Sequence, residues 1–171
     1  MLVLGLLLVG LGLLLVWWTQ RAQRELGLPA GRVVYVDDMG PAQTLARPLY
    51  DPRLGLVGKP DYMVEQGEAL IPVEVKTGHT PTEPYPGHVY QLVAYGLLIR
   101  RVLGRPSPYG LLRYPEATFR VEFTPALTDE LLAILAAMRT DEARGDVRRS
   151  HQHPARCRAC GFRDICDQRL A

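Results

Sequence analysis

The sequence predicts an α/β fold in which a mixed sheet is flanked by helices. Short apolar or alternating stretches bounded by Gly, Pro and Asp recur along the chain, which is typical of strands. Two longer segments end at glycines, as helices commonly do. An uncharged N-terminal segment and a C-terminal group of cysteines lie outside this predicted core.

The N-terminal segment Met1 to Trp18 contains no charged residue and no proline. As a helix it would span about 27 Å, close to the thickness of a bilayer core. Trp17 and Trp18 suit the membrane interface, and the arginines that follow place the rest of the chain in the cytoplasm. A cleaved signal peptide is the alternative, but no basic start or small-residue cleavage site is present. We therefore expect a single-pass membrane protein that contacts lipid through residues 1–18.

The remaining residues suit one globular domain with a sizeable core. We expect a linker over 19–30, a core domain over 31–150 and a C-terminal segment over 151–171. A first strand is predicted at Val33–Val36. Pro41–Gly55 contains three prolines and is predicted to be irregular.

A hairpin is predicted directly after this irregular stretch. Tyr62–Glu65 and the segment from Ala69 are strand-like, and a turn containing Gly67 separates them. A hairpin of this length brings Asp61 beside Glu74. Because side chains alternate along a strand, Glu74 and Lys76 share one face while their valine neighbours point towards a core.

The residues of this hairpin suit metal-assisted cleavage of a phosphodiester. Magnesium prefers oxygen ligands and keeps several waters, so Asp61 and Glu74 would suffice, with the Val75 carbonyl as a third ligand. Lys76 could orient water or stabilise charge on the phosphate. The alternative is an exposed hairpin with an ordinary Glu/Lys ladder. The preceding Gly58-Lys59-Pro60-Asp61 favours the metal site.

Two helices and two strands are predicted after the hairpin. The first helix begins at His88 and ends at Gly104, and strands follow at Tyr109–Tyr114 and Thr118–Phe123. The last helix is predicted at Asp129–Arg144 with Thr128 as its N-cap. In the first helix, spacing of four places Gln91 and Tyr95 on one face, which by itself could be an ordinary polar stripe.

The three cysteines, Cys157, Cys160 and Cys166, lie within ten residues near the C-terminus. In a cytoplasmic protein such clustering favours a metal or iron–sulfur centre over disulfides. Three thiolates do not complete a four-ligand site. His151 or His153 could supply the fourth ligand of a zinc site.

Four motifs together resemble the PD-(D/E)XK nuclease superfamily, in particular its RecB-like branch, which includes CRISPR-associated exonucleases. The motifs are Gly58-Lys59-Pro60-Asp61, Glu74-Val75-Lys76, Gln91-x-x-x-Tyr95 and Cys157-x2-Cys160-x5-Cys166. Their order along the chain also matches. The resemblance covers residues 55 to 170.

The resemblance implies a restriction-endonuclease-like fold and a DNA nuclease that requires Mg²⁺ or Mn²⁺. It implies that Asp61 and Glu74 hold the metal, that Lys76 assists water and phosphate, and that Gln91 and Tyr95 position the scissile strand. An exonuclease acting on single-stranded DNA is the expected activity, on the cytoplasmic face of the membrane. A 4Fe-4S cluster held by Cys157, Cys160 and Cys166 is the expected cofactor.

The chain departs from the family at its N-terminus. No cysteine precedes Cys157 to complete the cluster, so a zinc site with His151 or His153, or a cluster with one open iron, stays possible. The family's upstream acidic residue has no clear counterpart, and Glu25 is the candidate. We expect that the membrane segment replaces an N-terminal helical portion of the family.

Charge leaves more than one function open. The net charge is only +2, which neither favours nor excludes nucleic acid. Residues 144–171 carry seven arginines and three aspartates, a basic region that could attract DNA or anionic lipid. The second hypothesis is a non-catalytic DNA-binding or scaffold module that retains the nuclease fold and metal cluster. The third is an enzyme that acts on another substrate at the same metal site.

Overall fold

A computed structural model of the chain describes residues 2–25, 31–36, 47–145 and 147–170. It contains two compact units, Met1–Leu131 and Leu132–Ala171. The first unit holds all strands found in the described ranges. The second holds the three cysteines.

Seven strands and four helices form within the described residues. In chain order they are α1 (Leu2–Glu25), β1 (Arg32–Val36), β2 (Leu49–Asp51), β3 (Leu56–Gly58), β4 (Tyr62–Gln66), β5 (Ala69–Val75), α2 (Pro86–Val102), β6 (Tyr109–Arg113), β7 (Thr118–Glu122), α3 (Pro125–Arg144) and α4 (Pro154–Arg158). The boundary between the two units falls within α3.

Five strands form one mixed sheet in the order β1-β4-β5-β6-β7. Strand β5 pairs with β6 in parallel, whereas the other three pairings are antiparallel. A parallel pair requires a crossover connection, and helix α2 provides it between β5 and β6. The predicted α/β fold with a mixed sheet and packed helices is therefore confirmed.

The β4–β5 hairpin has the predicted position and register. Gln66 pairs with Ala69, and Gly67 in the turn has a φ of 57°. A positive φ is readily adopted by glycine because it has no Cβ. At the other end of the hairpin, Tyr62 pairs with Val73. This register places Asp61 opposite Glu74.

One buried cluster packs helix α2 against the sheet, and a second is formed by residues of β4, β5 and β6. Strand β5 is buried from Leu70 to Glu74, as expected for a central strand covered on both faces. Helix α2 approaches β6 closely at Gly96 and Gly110. A Cβ at Gly96 would lie 2.1 Å from Phe123 Cε2, and one at Gly110 would lie 2.8 Å from Phe123 Cζ. The two glycines therefore let Phe123 pack between the helix and the sheet.

Two local predictions were wrong. A second, two-stranded sheet of β2 and β3 begins within Pro41–Gly55, which was predicted to be irregular; residues 41–46 lie outside the described part. Helix α3 begins at Pro125 rather than at Asp129. The hydroxyl of Thr124 accepts a hydrogen bond from the Leu127 amide at 3.2 Å, so Thr124 rather than Thr128 caps the helix.

The N-terminal apolar segment is helical, and the helix continues beyond Trp18 to Glu25. None of the helices in the described ranges is long and apolar enough to span a bilayer. The membrane anchor predicted over residues 1–18, and its contact with lipid, are not supported by this finding. The predicted location of the remaining chain at the cytoplasmic face stays a prediction from the sequence.

Candidate active site

Asp61 lies directly before β4, where the preceding Pro60 is buried. Its Oδ2 accepts a hydrogen bond from the backbone N–H of Val75 at 2.7 Å. This bond joins the residue that precedes one hairpin strand to the last residue of the other. The carboxylate of Asp61 is thereby fixed next to that of Glu74.

Glu74 is buried in β5, with 6% of its surface exposed. Its Oε1 accepts two hydrogen bonds, one from Lys76 Nζ at 2.9 Å and one from Gln91 Nε2 at 2.8 Å. Its Oε2 is also buried and makes no hydrogen bond within the described residues. A buried carboxylate oxygen without a partner is costly unless a ligand satisfies it.

Lys76 follows β5 on the same face as Glu74, as the strand alternation predicts. Its backbone N–H donates to the Arg113 carbonyl at 2.7 Å, which extends the pairing of β5 with β6 by one residue. Its Nζ also donates to Gln91 Oε1 at 2.7 Å. The ammonium is thus held between a carboxylate and a carboxamide.

Gln91 and Tyr95 lie one turn apart on helix α2. Gln91 Nε2 donates to Tyr95 Oη at 2.8 Å, in addition to its bond with Glu74. The ring of Tyr95 is buried against Gly58, where a Cβ would lie 2.8 Å from Tyr95 Cε1. Burial raises the pKa of Tyr95 to about 12, so the phenol is neutral at physiological pH.

The structure therefore brings together the five side chains predicted at the site: Asp61, Glu74, Lys76, Gln91 and Tyr95. Their chemical roles stay predictions. Glu25, the candidate for the upstream acid, ends helix α1, and its side chain lies outside the described part of the chain.

The electrostatics of the site are dominated by burial of Glu74. Burial raises the pKa of Glu74 above its ordinary value, and the nearby charge of Asp61 raises it further, while Lys76 acts in the opposite direction. Two carboxylates in one small space repel each other when both are ionised. A divalent cation between them would relieve that repulsion.

The donor set fits a hard divalent cation. The site offers two carboxylates, and one of them has a buried oxygen with no described partner. Across the described residues, no three or more His, Cys, Asp or Glu side chains group together to hold a metal. Two carboxylates match the needs of magnesium, which keeps several waters. The Val75 carbonyl as a third ligand stays a prediction.

His88 is a neighbour of the site that the sequence marked only as a helix start. It lies three residues before Gln91 on α2, so the two share a face. Its Nδ1 is 2.7 Å from Tyr114 Oη. Burial, and then the charge of Lys76, lower the pKa of His88. The sequence signal that could have identified His88 as a neighbour of the site is its position three residues before Gln91.

The metal centre predicted at the cysteines is not shown by the described part of the chain. All three are free thiols: Cys157 is buried and its Sγ accepts a hydrogen bond from the Leu170 amide at 3.4 Å, Cys160 is exposed, and Cys166 is half-buried. Neither these thiols nor His151 and His153 belong to a metal-holding group, although all five residues are described.

The physical reason is the direction of the side chains. Cys157 lies in the short helix α4 and turns inward, whereas Cys160 lies just after the helix and faces solvent. The residues in this arrangement do not fit a 4Fe-4S cluster or a zinc ion with His151 or His153. The function proposed below does not depend on a 4Fe-4S cluster or on a zinc ion at these residues.

A family model and curated relatives both match the greater part of this chain. A family model of the PD-(D/E)XK nuclease superfamily matches residues 10–167. The CRISPR-associated exonuclease Cas4 of Rhodospirillum rubrum is 29% identical over 88% of this chain and 51% of its own length. Cas4 of Francisella tularensis subsp. novicida is 24% identical over 67% of this chain and 57% of its own.

The chain thus spans little more than half the length of these curated relatives. Among solved structures, that of SSO0001 matches with 19% identity and a TM-score of 0.40, over 73% of this chain and 58% of that chain.

Proposed function

The chain belongs to the PD-(D/E)XK nuclease superfamily, and from that premise we propose that it is a divalent-metal-dependent DNA nuclease whose active site is Asp61, Glu74 and Lys76. The observation that carries the proposal is the buried Glu74 carboxylate. One of its oxygens is held by Lys76 and Gln91, and the other has no described partner. Such an oxygen is available to a metal ion.

Each residue of the site has a different proposed role in hydrolysis. Asp61 and Glu74 would hold Mg²⁺ or Mn²⁺, which when bound neutralises a phosphodiester and activates water. Lys76 places a positive charge beside the two carboxylates, where it can orient water and stabilise negative charge on the phosphate. Gln91 fixes both Glu74 and Lys76, so their relative position is set before substrate arrives.

We further propose that the enzyme is an exonuclease that acts on single-stranded DNA. The support for an exonuclease is that both curated relatives carry that name. Single-stranded DNA as the substrate is the expectation from the motif resemblance. The membrane tether is not part of this proposal, because no described helix is suited to cross a bilayer.

The test is cleavage of end-labelled single- and double-stranded DNA by the full chain, with Mg²⁺ or Mn²⁺. We expect cleavage that starts at an end and is abolished by Glu74→Ala and by Lys76→Ala. Tyr90→Phe is the matched control on α2, because its hydroxyl reaches Glu130 rather than the site. Cleavage that survives both substitutions would rule out the assigned roles. DNA binding without any cleavage would favour the scaffold hypothesis.

Metal binding has an independent readout. Mn²⁺ binding, followed by electron paramagnetic resonance, should saturate in the wild-type chain and weaken strongly in Asp61→Asn and Glu74→Gln. The same affinity in all three proteins would exclude these carboxylates as ligands.

A further inference from the structure

An exposed tyrosine directly precedes helix α2, the helix that carries Gln91 of the candidate active site. Tyr85 is 48% exposed. Its carbonyl accepts hydrogen bonds from the amides of His88 and Val89, at 2.9 and 3.1 Å. These bonds belong to the first turn of the helix, so the backbone that carries the ring is rigid. Tyr85 thus presents a large aromatic surface to solvent from a fixed position.

His88 connects this tyrosine to the catalytic residues. The rings of Tyr85 and His88 are 5.4 Å apart and meet edge to face, at an interplanar angle of 86°. His88 also shares the helix face of Gln91. Gln91, one turn further along that face, contacts both Glu74 and Lys76.

A buried tyrosine, Tyr114, contacts the His88 ring. Tyr114 is 3% exposed, and its hydroxyl is 2.7 Å from His88 Nδ1. The two rings are 5.8 Å apart and tilted by 32°. Phe119 in turn packs edge to face on Tyr114, at 5.6 Å. The four rings form a row that begins in the sheet and ends at exposed Tyr85, so its outer members are supported.

We propose that Tyr85, supported edge to face by His88, is a platform on which a nucleobase of an unpaired strand stacks, beside the Asp61, Glu74 and Lys76 site. The inference rests on the proposed function and assigns recognition of the unpaired strand to the Tyr85 ring. A base within a duplex already stacks on its neighbours and pairs with its partner. Only an unpaired base offers its face to an aromatic side chain without first breaking these contacts.

Strand binding by the full chain tests the platform. Fluorescence anisotropy would compare a single-stranded oligonucleotide with a duplex of the same sequence, in EDTA so that neither is cleaved. Tyr85→Ala should weaken single-strand binding about 5- to 150-fold and leave duplex binding nearly unchanged. Tyr85→Trp should retain single-strand affinity because it keeps an aromatic face.

Tyr50 provides the matched control. It is 56% exposed and lies on β2, in the separate two-stranded sheet. Tyr50→Ala removes an equally exposed ring, and we expect it to leave single-strand affinity as in the wild type. Thermal melting of each variant checks that it folds. If Tyr85→Ala does not fold, Tyr85→Leu replaces it, because leucine removes the aromatic face but keeps a large apolar side chain, and the same loss of single-strand affinity is expected.

Two results would overturn the platform: unchanged single-strand affinity in Tyr85→Ala, or an equal loss for single strand and duplex. Cleavage measured in parallel with Mg²⁺ separates this inference from the nuclease proposal. If the chain cleaves DNA and Tyr85→Ala binds like the wild type, only the platform fails. If the chain does not cleave and Tyr85→Ala still loses single-strand binding selectively, the platform stands and the nuclease proposal fails.

Discussion

Gln91 donates a hydrogen bond from Nε2 to Oε1 of Glu74 at 2.8 Å, across the gap between helix α2 and strand β5. Through its other carboxamide atom the same side chain accepts a bond from Lys76. The two termini of one carboxamide therefore set the spacing of a carboxylate and an ammonium. The second oxygen of Glu74 makes no hydrogen bond within the described structure.

The first prediction concerns this carboxamide. We expect Gln91→Ala to lower the cleavage rate and the affinity for Mn²⁺ about 10- to 100-fold, as loss of residues that orient metal ligands typically does. The rate on labelled DNA and the Mn²⁺ dissociation constant would be measured together. Tyr90→Phe, on the neighbouring position of the helix, should leave both unchanged. A wild-type rate in Gln91→Ala would show that Glu74 and Lys76 need no such support.

The second prediction concerns pH. Burial and Asp61 raise the pKa of Glu74, so the folded chain holds its proton more tightly than the unfolded chain. Protonation of Glu74 therefore stabilises the folded chain. This stabilisation is fully present below the ordinary pKa of 4.5 and is lost as the pH rises through the raised pKa of the folded chain. In EDTA at pH 8, Glu74→Gln should therefore melt at a higher temperature than the wild type.

The difference in melting temperature should shrink as the pH falls below 4.5, because Glu74 of the wild type is then protonated and residue 74 is neutral in both proteins. Adding Mn²⁺ should raise the melting temperature of the wild type, since a ligand that binds only the folded state stabilises it. Glu74→Gln should gain little. A pH-independent difference would contradict ionisation of the buried carboxylate as the cause, and equal stabilisation by Mn²⁺ would remove Glu74 from the metal site.

The third prediction concerns the contact between Gly58 and Tyr95. A Cβ at Gly58 would lie 2.8 Å from the Tyr95 ring, so Gly58→Ala must displace that ring or strain the backbone. We expect a loss of stability of about 1–3 kcal/mol, as for other overpacked sites. Cleavage should also slow, because Tyr95 accepts a hydrogen bond from Gln91.

Gly78→Ala is the control for this substitution. Gly78 lies two residues after Lys76, and a Cβ there meets no described atom within 4 Å. Its stability and cleavage rate should match those of the wild type. Similar losses in both variants would point to a general effect of glycine replacement and not to displacement of Tyr95.

The fourth prediction concerns the cysteines. Cys157 is buried and accepts a hydrogen bond, whereas Cys160 is exposed. Cys157→Ala should therefore destabilise the second unit by about 1 kcal/mol, and Cys160→Ala should not. Melting curves and the iron and zinc content of the purified chain would be measured. If the purified chain contains iron or zinc and both variants lose it equally, the cysteines hold the metal centre expected from the sequence.

Local pattern was sufficient to predict much of the site. The glycine turn and the strand alternation of the hairpin determine that Asp61 meets Glu74 and that Lys76 shares its face. The spacing of four on one helix determines that Gln91 lies next to Tyr95. These relationships are local because each depends on the period of one element or on a turn of two residues.

Only the tertiary structure decided how α2 lies against the sheet. Gln91 contacts Glu74 and Lys76 because the helix crosses from β5 to β6 and packs closely at two glycines, a result of contacts far apart in sequence. The same packing places His88 against Tyr114. The cysteine spacing suggested a metal site, but the direction of each thiol depends on how the backbone folds around α4. Motif spacing thus determined which residues are available, and long-range packing determined which of them meet.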